Sequence, residues 1–135
     1  RELELQDRVL FLGFASDVAL MLSLLDLQLN CSYGTEASSL ALIEGMSLGL
    51  ATVASDYGGN PWQVDDGVTG LLFRTGDARD LAQKLRTLMD DPAAAAAMGI
   101  AARKAYESRF TGEIFAANLE QVYDDILKKK GGSPR

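Results

Sequence analysis

The sequence predicts an α/β fold in which a doubly wound parallel sheet of about four strands carries helices on both faces and is followed by a helical C-terminal part. Short apolar runs alternate with helix-like stretches up to residue 73, and this alternation is typical of parallel strands joined by helices. From residue 77 onward the spacing of apolar residues is helical. The 135 residues are enough for one domain with its own core.

The four predicted strands are short apolar runs bounded by turn residues. They cover residues 9–14, 27–32, 51–55 and 70–73. The run at residues 9–14 has no polar alternation, which favours a strand buried on both faces of a sheet. The single cysteine, Cys31, lies in the second run, which predicts a core thiol rather than a disulfide or metal ligand.

Each predicted helix follows a residue that can cap its first turn. The candidate caps are Ser16 or Asp17, Ser38 or Ser39, Asp77, Asp91 and Thr111, and Pro61 is a natural first residue for a short turn through Val64. The last helix carries an apolar stripe of Phe115, Leu119, Val122 and Ile126, and it ends in the lysines 128–130. We divide the chain into a domain of residues 1–127 and a tail of residues 128–135.

The stretch from residue 32 to residue 59 contains the most informative chemistry. Its helix is apolar on nearly every side, which predicts burial. Glu44 lies within that helix, and burying an unpartnered polar group there would cost roughly 2–7 kcal/mol. Glu44 is therefore expected either to line a cleft or to accept hydrogen bonds from nearby backbone amides.

Glu36 precedes the start of the same helix, whose first N–H groups suit a phosphate. Two carboxylates would repel a phosphate, but they could accept hydrogen bonds from hydroxyls on either side of it, as in a nucleotide sugar. A purely structural role for Glu36 and Glu44 is the alternative, because perturbed acids also occur in structural networks. The residues alone leave both readings open.

Composition excludes several classes of protein. The 13 basic and 19 acidic residues give a net charge of −6, which argues against a nucleic-acid surface. With one cysteine and no histidine, a zinc site is not expected. No apolar run reaches the roughly 18 residues of a membrane span, and no signal-peptide pattern is present. Residues 13–61 contain neither lysine nor arginine, which is unusual for a phosphate site.

An ordered set of motifs resembles the nucleotide-sugar signature of retaining glycosyltransferases of the group 1, family 4 type. The set is Glu36, seven residues, Glu44, a turn at Gly49, the strand ATVAS and the loop Gly58-Gly59-Asn60-Pro61. The resemblance continues through DGVTGLLF and MGIAARKAYESRFT and covers roughly residues 9 to 127. One departure is the trio Ala37-Ser38-Ser39, where similar proteins often have glycines that let the backbone approach the phosphates.

The resemblance implies a GT-B fold, of which this chain would be part of the Rossmann-like C-terminal, donor-binding domain. It implies that Glu36 is catalytic and contacts the donor sugar, and that Glu44 holds the ribose hydroxyls. The backbone amides of Ser39 and Leu40 would meet the diphosphate, and Ser38 and Ser39 could add hydroxyl donors. Gly13, Phe14 and Ala15 would lie against the base. These residues fall in loops at the carboxyl ends of predicted strands, where open α/β sheets bind ligands. No metal or other cofactor is expected, and the donor substrate is a nucleotide-diphosphate sugar.

The resemblance also implies missing parts. The acceptor, a sugar or a lipid, would bind an N-terminal domain that this chain lacks, and the cations that neutralise the diphosphate would lie in a missing part of the donor domain. The fragment is therefore expected to be inactive alone. In the family's strand order, 3-2-1-4-5-6, the chain would hold strands 3 to 6. Residues 9–14 would then either pair with residues 27–32 or leave an edge for homodimer formation.

Two other functions stay open beside a transferase. One is a non-catalytic Rossmann-like interaction module, and the other is a nucleotide-sugar epimerase of the same fold. A cytoplasmic location is expected, and a peripheral membrane location of the full-length enzyme stays open.

Overall fold

The computed structural model describes residues 3–34 and 36–131, so residues 132–135 of the predicted tail lie outside the described residues. Nine elements follow one another within these described ranges. They are α1 (Val18–Ser23), β1 (Leu27–Asn30), α2 (Leu40–Ser47), β2 (Ala51–Ser55), α3 (Asn60–Gln63), β3 (Gly70–Phe73), α4 (Ala78–Asp90), α5 (Pro92–Arg109) and α6 (Gly112–Gly131). The predicted α/β class with a helical C-terminal part is confirmed.

The sheet is parallel, with the strand order β1-β2-β3. Leu29 pairs with Val53, and Val53 pairs in turn with Leu71. The helices α2 and α3 make the connections between consecutive strands, as parallel pairing requires. This order is the one expected for the last three strands of the family's sheet.

The predicted strand at residues 9–14 is wrong, and the described sheet has three strands rather than four. The segment has no regular structure, and its apolar side chains are exposed, with Phe11 91% and Phe14 95% accessible. A parallel strand needs a neighbour for its backbone groups, and this segment does not pair with β1. Apolar sequence alone therefore could not make it a strand. Homodimer formation through the free edge of β1 stays a prediction.

The sheet carries a core on each face, because successive side chains of a strand point to opposite sides. On one face, Val53 and Phe73 pack with Leu88 of α4, and Ala95 and Met98 of α5 lie against this cluster. On the other face, Leu42 of α2 packs with Ala54 and Val64, and Leu72 lies against them. Helices on both faces are thereby confirmed.

Short-range capping signals placed most helix starts correctly. Asp17, Ser39, Asp77 and Asp91 each accept a hydrogen bond from a backbone N–H in the first turn of their helix. The Thr111 Oγ1 accepts one from Ile114 N at 3.3 Å. These polar caps satisfy N–H groups that the helix itself cannot pair.

The remaining expectations concern surfaces. The apolar stripe of α6 is exposed rather than packed, with Phe115 69% accessible. Cys31 lies just beyond the end of β1 and is exposed, so the predicted core thiol is wrong. Partial desolvation nevertheless raises the pKa of its thiol. Among the described residues, no helix is both long and apolar enough to span a membrane.

Candidate functional site

Three loops meet at the carboxyl ends of the parallel strands. The loop after β1 is tied to β2 because Ser55 Oγ donates to Ser32 O at 2.9 Å. The loop after β2 is tied to the loop after β3, since Thr75 N donates to Asp56 Oδ1 at 2.7 Å. These hydrogen bonds bring the predicted site loops after β1 and β2 to one edge of the sheet.

Glu36 occupies the loop between β1 and α2, and it is held through both its side chain and its backbone. Ser32 Oγ donates to Glu36 Oε2 at 3.2 Å, and Gly59 N donates to Glu36 O at 2.9 Å. The side chain is half-buried. A carboxylate has about four acceptor positions. Within the described ranges this side chain accepts one hydrogen bond, which leaves capacity for the hydroxyls of a ligand.

The two glycines after β2 allow this close approach. Gly58 has a φ of +58°, and a Cβ atom there would overlap the carbonyl oxygen of Glu36. A Cβ atom on Gly59 would overlap the carbonyl oxygen of Ala37. The Gly-Gly pair of the motif therefore lets the loop after β2 press against the Glu36 loop.

The start of α2 differs in one respect from the expectation. Ser39 is buried and is the N-cap of the helix, but its own N–H already donates to Gln63 Oε1 at 3.0 Å. Leu40, the first helical residue, is 73% exposed, and no hydrogen bond from its N–H to another of the described residues is present. Of the two backbone amides expected to meet a diphosphate, only that of Leu40 is available.

The face of α2 that carries Glu44 is open, so the expectation of a helix buried on nearly every side is wrong. Leu42 and Met46 face the interior, whereas Leu40 and Glu44, one turn apart on another face, are exposed. Glu44 lines a small cavity of about 150 Å³ between α1 and α2, together with Leu22 and other residues of these two helices. Glu44 thus faces solvent and a groove rather than backbone donors.

The structure does not join the predicted base pocket to this arrangement. Gly13, Phe14 and Ala15 lie in the irregular segment before α1. Phe14 is almost fully exposed, and no hydrogen bond links the three residues to Glu36 or Glu44. The base pocket stays a prediction.

The site has no cation of its own in residues 13–61. Arg74, which follows β3 at the same edge, is engaged by Asp77 at 2.8 Å and by Asp80 at 3.7 Å. Within the described ranges, His, Cys, Asp and Glu side chains form no group that could hold a metal ion. The local charge is therefore negative.

A buried polar network beneath the Glu36 loop was not anticipated from the sequence. Asn30 Nδ2 donates to Ser39 Oγ at 2.9 Å, and Asn60 Nδ2 donates to Ser55 O at 3.0 Å. Gln63 binds the start of α2 from α3. Asn60 Oδ1 is buried and has no partner among the described residues. The sequence signal for this network is the Gly-Gly-x-Pro motif, which contains Asn60.

Comparisons with known proteins agree on one family. The family described as "Glycosyl transferases group 1" matches residues 1–105. N-acetyl-alpha-D-glucosaminyl L-malate synthase of Bacillus anthracis is 34% identical over 128 residues, which are 95% of this chain and 33% of that protein. D-inositol 3-phosphate glycosyltransferase of Corynebacterium kroppenstedtii is 35% identical over 94 residues, which are 70% of this chain and 21% of that protein.

Solved structures show the same fold. The sucrose-phosphate synthase of Thermosynechococcus elongatus superposes with a TM-score of 0.84 at 31% identity, covering 93% of this chain and 32% of that one. HepE of Anabaena, solved in complex with UDP-glucose, superposes with a TM-score of 0.80 at 28% identity, covering 92% and 33%. This chain therefore spans about one third of the length of these structures.

Proposed function

Because the chain belongs to the group 1 glycosyltransferases, we propose that it forms the donor half of a retaining glycosyltransferase. It would bind a nucleotide-diphosphate sugar, whose glycosyl group is transferred to an acceptor with retention of configuration. The observation that carries the proposal is the Glu36 loop, which Gly59 holds at the carboxyl edge of the sheet. Ligands of open α/β sheets bind at this edge.

Glu36 is proposed to bind the donor sugar and to be the catalytic residue. Its carboxylate is fixed by Ser32 but keeps acceptor capacity. Sugar hydroxyls are donors that match such an acceptor, and hydrogen bonds to a charged group are stronger than neutral ones. The HepE complexes with UDP and with UDP-glucose support this class of ligand.

The remaining donor contacts are assigned to the start and the open face of α2. The free Leu40 N–H lies at the positive end of the helix and would meet the diphosphate, with the exposed Ser38 hydroxyl beside it. Glu44 would accept hydrogen bonds from the ribose hydroxyls at the groove next to α1. Phe14, with Gly13 and Ala15, is assigned to the base because its ring is free to stack.

The negative charge of the site suggests that other parts of the protein supply some of the contacts to the substrates. A diphosphate needs cations, and residues 13–61 supply none. We assign the neutralising cations to a missing part of the donor domain and the acceptor to an N-terminal domain, which would leave the isolated chain inactive. The enzyme would need no metal cofactor. We place it in the cytoplasm, with the full-length enzyme at the membrane surface.

Calorimetric titration of this chain with UDP, GDP and ADP, and then with their sugar conjugates, tests the proposal. We expect saturable binding of one diphosphate, and Glu44→Gln should weaken it at least tenfold, because a hydrogen bond to a charged group contributes about 1.5–3 kcal/mol. Glu120→Gln, which removes an exposed carboxylate of α6, is the matched control. Equal affinity in the two variants, or no binding at millimolar nucleotide, would contradict the donor site in this chain.

Two exposed surfaces favour a second candidate function, that of an interaction module. The free edge of β1 and the exposed apolar stripe of α6 are surfaces suited to association. A non-catalytic interaction module, including a homodimer through the sheet edge, would use them without nucleotide. Light scattering that shows a dimer, together with no nucleotide binding, would support this function over the first.

A further inference from the structure

Gln63, the last residue of α3, makes three hydrogen bonds to two consecutive residues of the Glu36 loop. Its Oε1 accepts from Ser39 N at 3.0 Å, while its Nε2 donates to Ser39 O at 3.2 Å and to Ser38 Oγ at 3.0 Å. The side chain is 3% exposed. Water therefore cannot easily replace these bonds.

The chemistry of this contact requires an amide. One planar group must offer an acceptor to the N–H of Ser39 and donors to its C=O and to the Ser38 hydroxyl. Glutamine carries both functions on one side chain. A carboxylate at position 63 would face the Ser39 carbonyl with its own negative charge, and an apolar group would leave the buried N–H of Ser39 without its partner.

The contact determines the orientation of the start of α2. Gly59 holds the loop at Glu36, and Gln63 holds it two and three residues later. The loop therefore has fixed points on both sides of Ala37. The N–H of Leu40 follows directly after the second one, so its direction depends on how Ser39 is held.

We propose that Gln63 is a positioning residue for donor binding, an inference that rests on the proposed function. It does not contact the donor itself. By pairing with Ser38 and Ser39 it holds the Leu40 N–H and the Glu36 carboxylate in the geometry that binds the diphosphate and the sugar. A loop held in advance does not have to be ordered when the ligand binds, which raises affinity.

The test compares Gln63→Met, which has a similar length but no amide, with Val64→Ala as the matched control. Val64 is the next residue and is buried against Leu42 and Ala54, away from the loop hydrogen bonds. Both variants should melt several degrees lower than the wild type, because each disturbs the interior. We expect only Gln63→Met to weaken nucleotide-diphosphate binding, by about tenfold at 25 °C. Equal affinity in the two variants would overturn the inference.

The pH dependence of nucleotide binding by Gln63→Glu is a second test, and loss of stability alone would not produce the expected result. The carboxyl introduced by Gln63→Glu keeps the acceptor, and once protonated it also regains a donor. The charged groups next to α3 are Asp65 and Arg109, which pair with each other at 2.9 Å, and Glu36 lies in the loop above. Dividing the affinity of Gln63→Glu by that of the wild type at each pH removes the pH dependence that the two proteins share. We expect this ratio to rise about tenfold between pH 8 and pH 5; a constant ratio would contradict the role of the donor bonds.

Amide hydrogen exchange separates this inference from the proposed function. In Gln63→Met the N–H of Ser39 should exchange at least tenfold faster than in Val64→Ala, whether or not nucleotide binds. If the wild type binds no nucleotide but this exchange difference is present, the proposed function is wrong and the positioning of the loop stands. Unchanged exchange at Ser39 would refute the contact itself.

Discussion

Gly59→Ala should destabilise the protein by closing the space between two backbone segments. Gly59 has φ −81° and ψ −11°, a conformation that alanine adopts without strain. Backbone dihedral strain therefore contributes little, and the effect comes from contact. An added Cβ atom would overlap the Ala37 carbonyl oxygen and lie only 2.7 Å from the Ala37 carbonyl carbon, whereas non-bonded carbon atoms prefer about 3.5–4.0 Å.

The size of the destabilisation follows from the displacement of the Glu36 loop. The Glu36 loop has to retreat by about 1 Å to restore normal carbon contacts, which breaks the 2.9 Å hydrogen bond from Gly59 N to Glu36 O. Overpacking costs about 1–3 kcal/mol, and a lost hydrogen bond adds about 1 kcal/mol. We expect the free energy of unfolding to fall by about 2–4 kcal/mol.

Urea denaturation of Gly59→Ala and of Gly112→Ala measures the effect. Gly112 is the matched control, because a Cβ atom there meets nothing within 4 Å. Gly112→Ala should be at least as stable as the wild type, because Gly112 lies in α6 and alanine is favoured over glycine in a helix. A Gly59→Ala variant as stable as Gly112→Ala would refute the close approach of the two loops.

Two further predictions concern the stability of the fold. Thr75 donates to Asp56 from its hydroxyl and its N–H, and these hydrogen bonds hold the pKa of the Asp56 carboxyl below its ordinary value. The stability that the ionised carboxylate contributes is present above about pH 4 and is lost as pH falls through the lowered pKa. In urea titrations between pH 7 and pH 2 the wild type should therefore lose its advantage in unfolding free energy over Asp56→Asn at the acid end, and a difference independent of pH would contradict the reasoning. Leu42→Ala removes a fully buried side chain that packs on Ala54 and Val64, and it should lower the free energy of unfolding by about 2–5 kcal/mol in urea denaturation, against no more than about 0.5 kcal/mol for the exposed Leu127→Ala.

Local sequence signals predicted the helix starts and the two strands that depend mainly on neighbouring residues. The caps Ser39, Asp77 and Asp91 act within the first turn of their own helix, so the residue types alone place these helix starts. The strands β2 and β3 are apolar runs between turn residues, and the structure places them within the predicted bounds. The motif from Glu36 to Pro61 also predicted the family that the comparisons show.

Tertiary structure decided the features that depend on contacts between residues distant in sequence, such as strand pairing and the exposure of Glu44. Residues 9–14 are as apolar as the true strands, but a strand forms only where a neighbour pairs with its backbone, and the described sheet ends at β1. The exposure of Glu44 was decided by which face of α2 packs on the sheet, and that face is set by contacts of Leu42 and Met46 with other elements.

The hydrogen bonds of Gln63 show the same limit for the site. Its partners, Ser38 and Ser39, lie 25 and 24 residues earlier in the chain. Nothing in the residue types predicts that Gln63 contacts these two serines. Capping, turn formation and hydrophobic period act over a few residues and can be read along the chain. A buried amide finds its partner only after packing has removed water and brought two loops together, and packing depends on the whole fold.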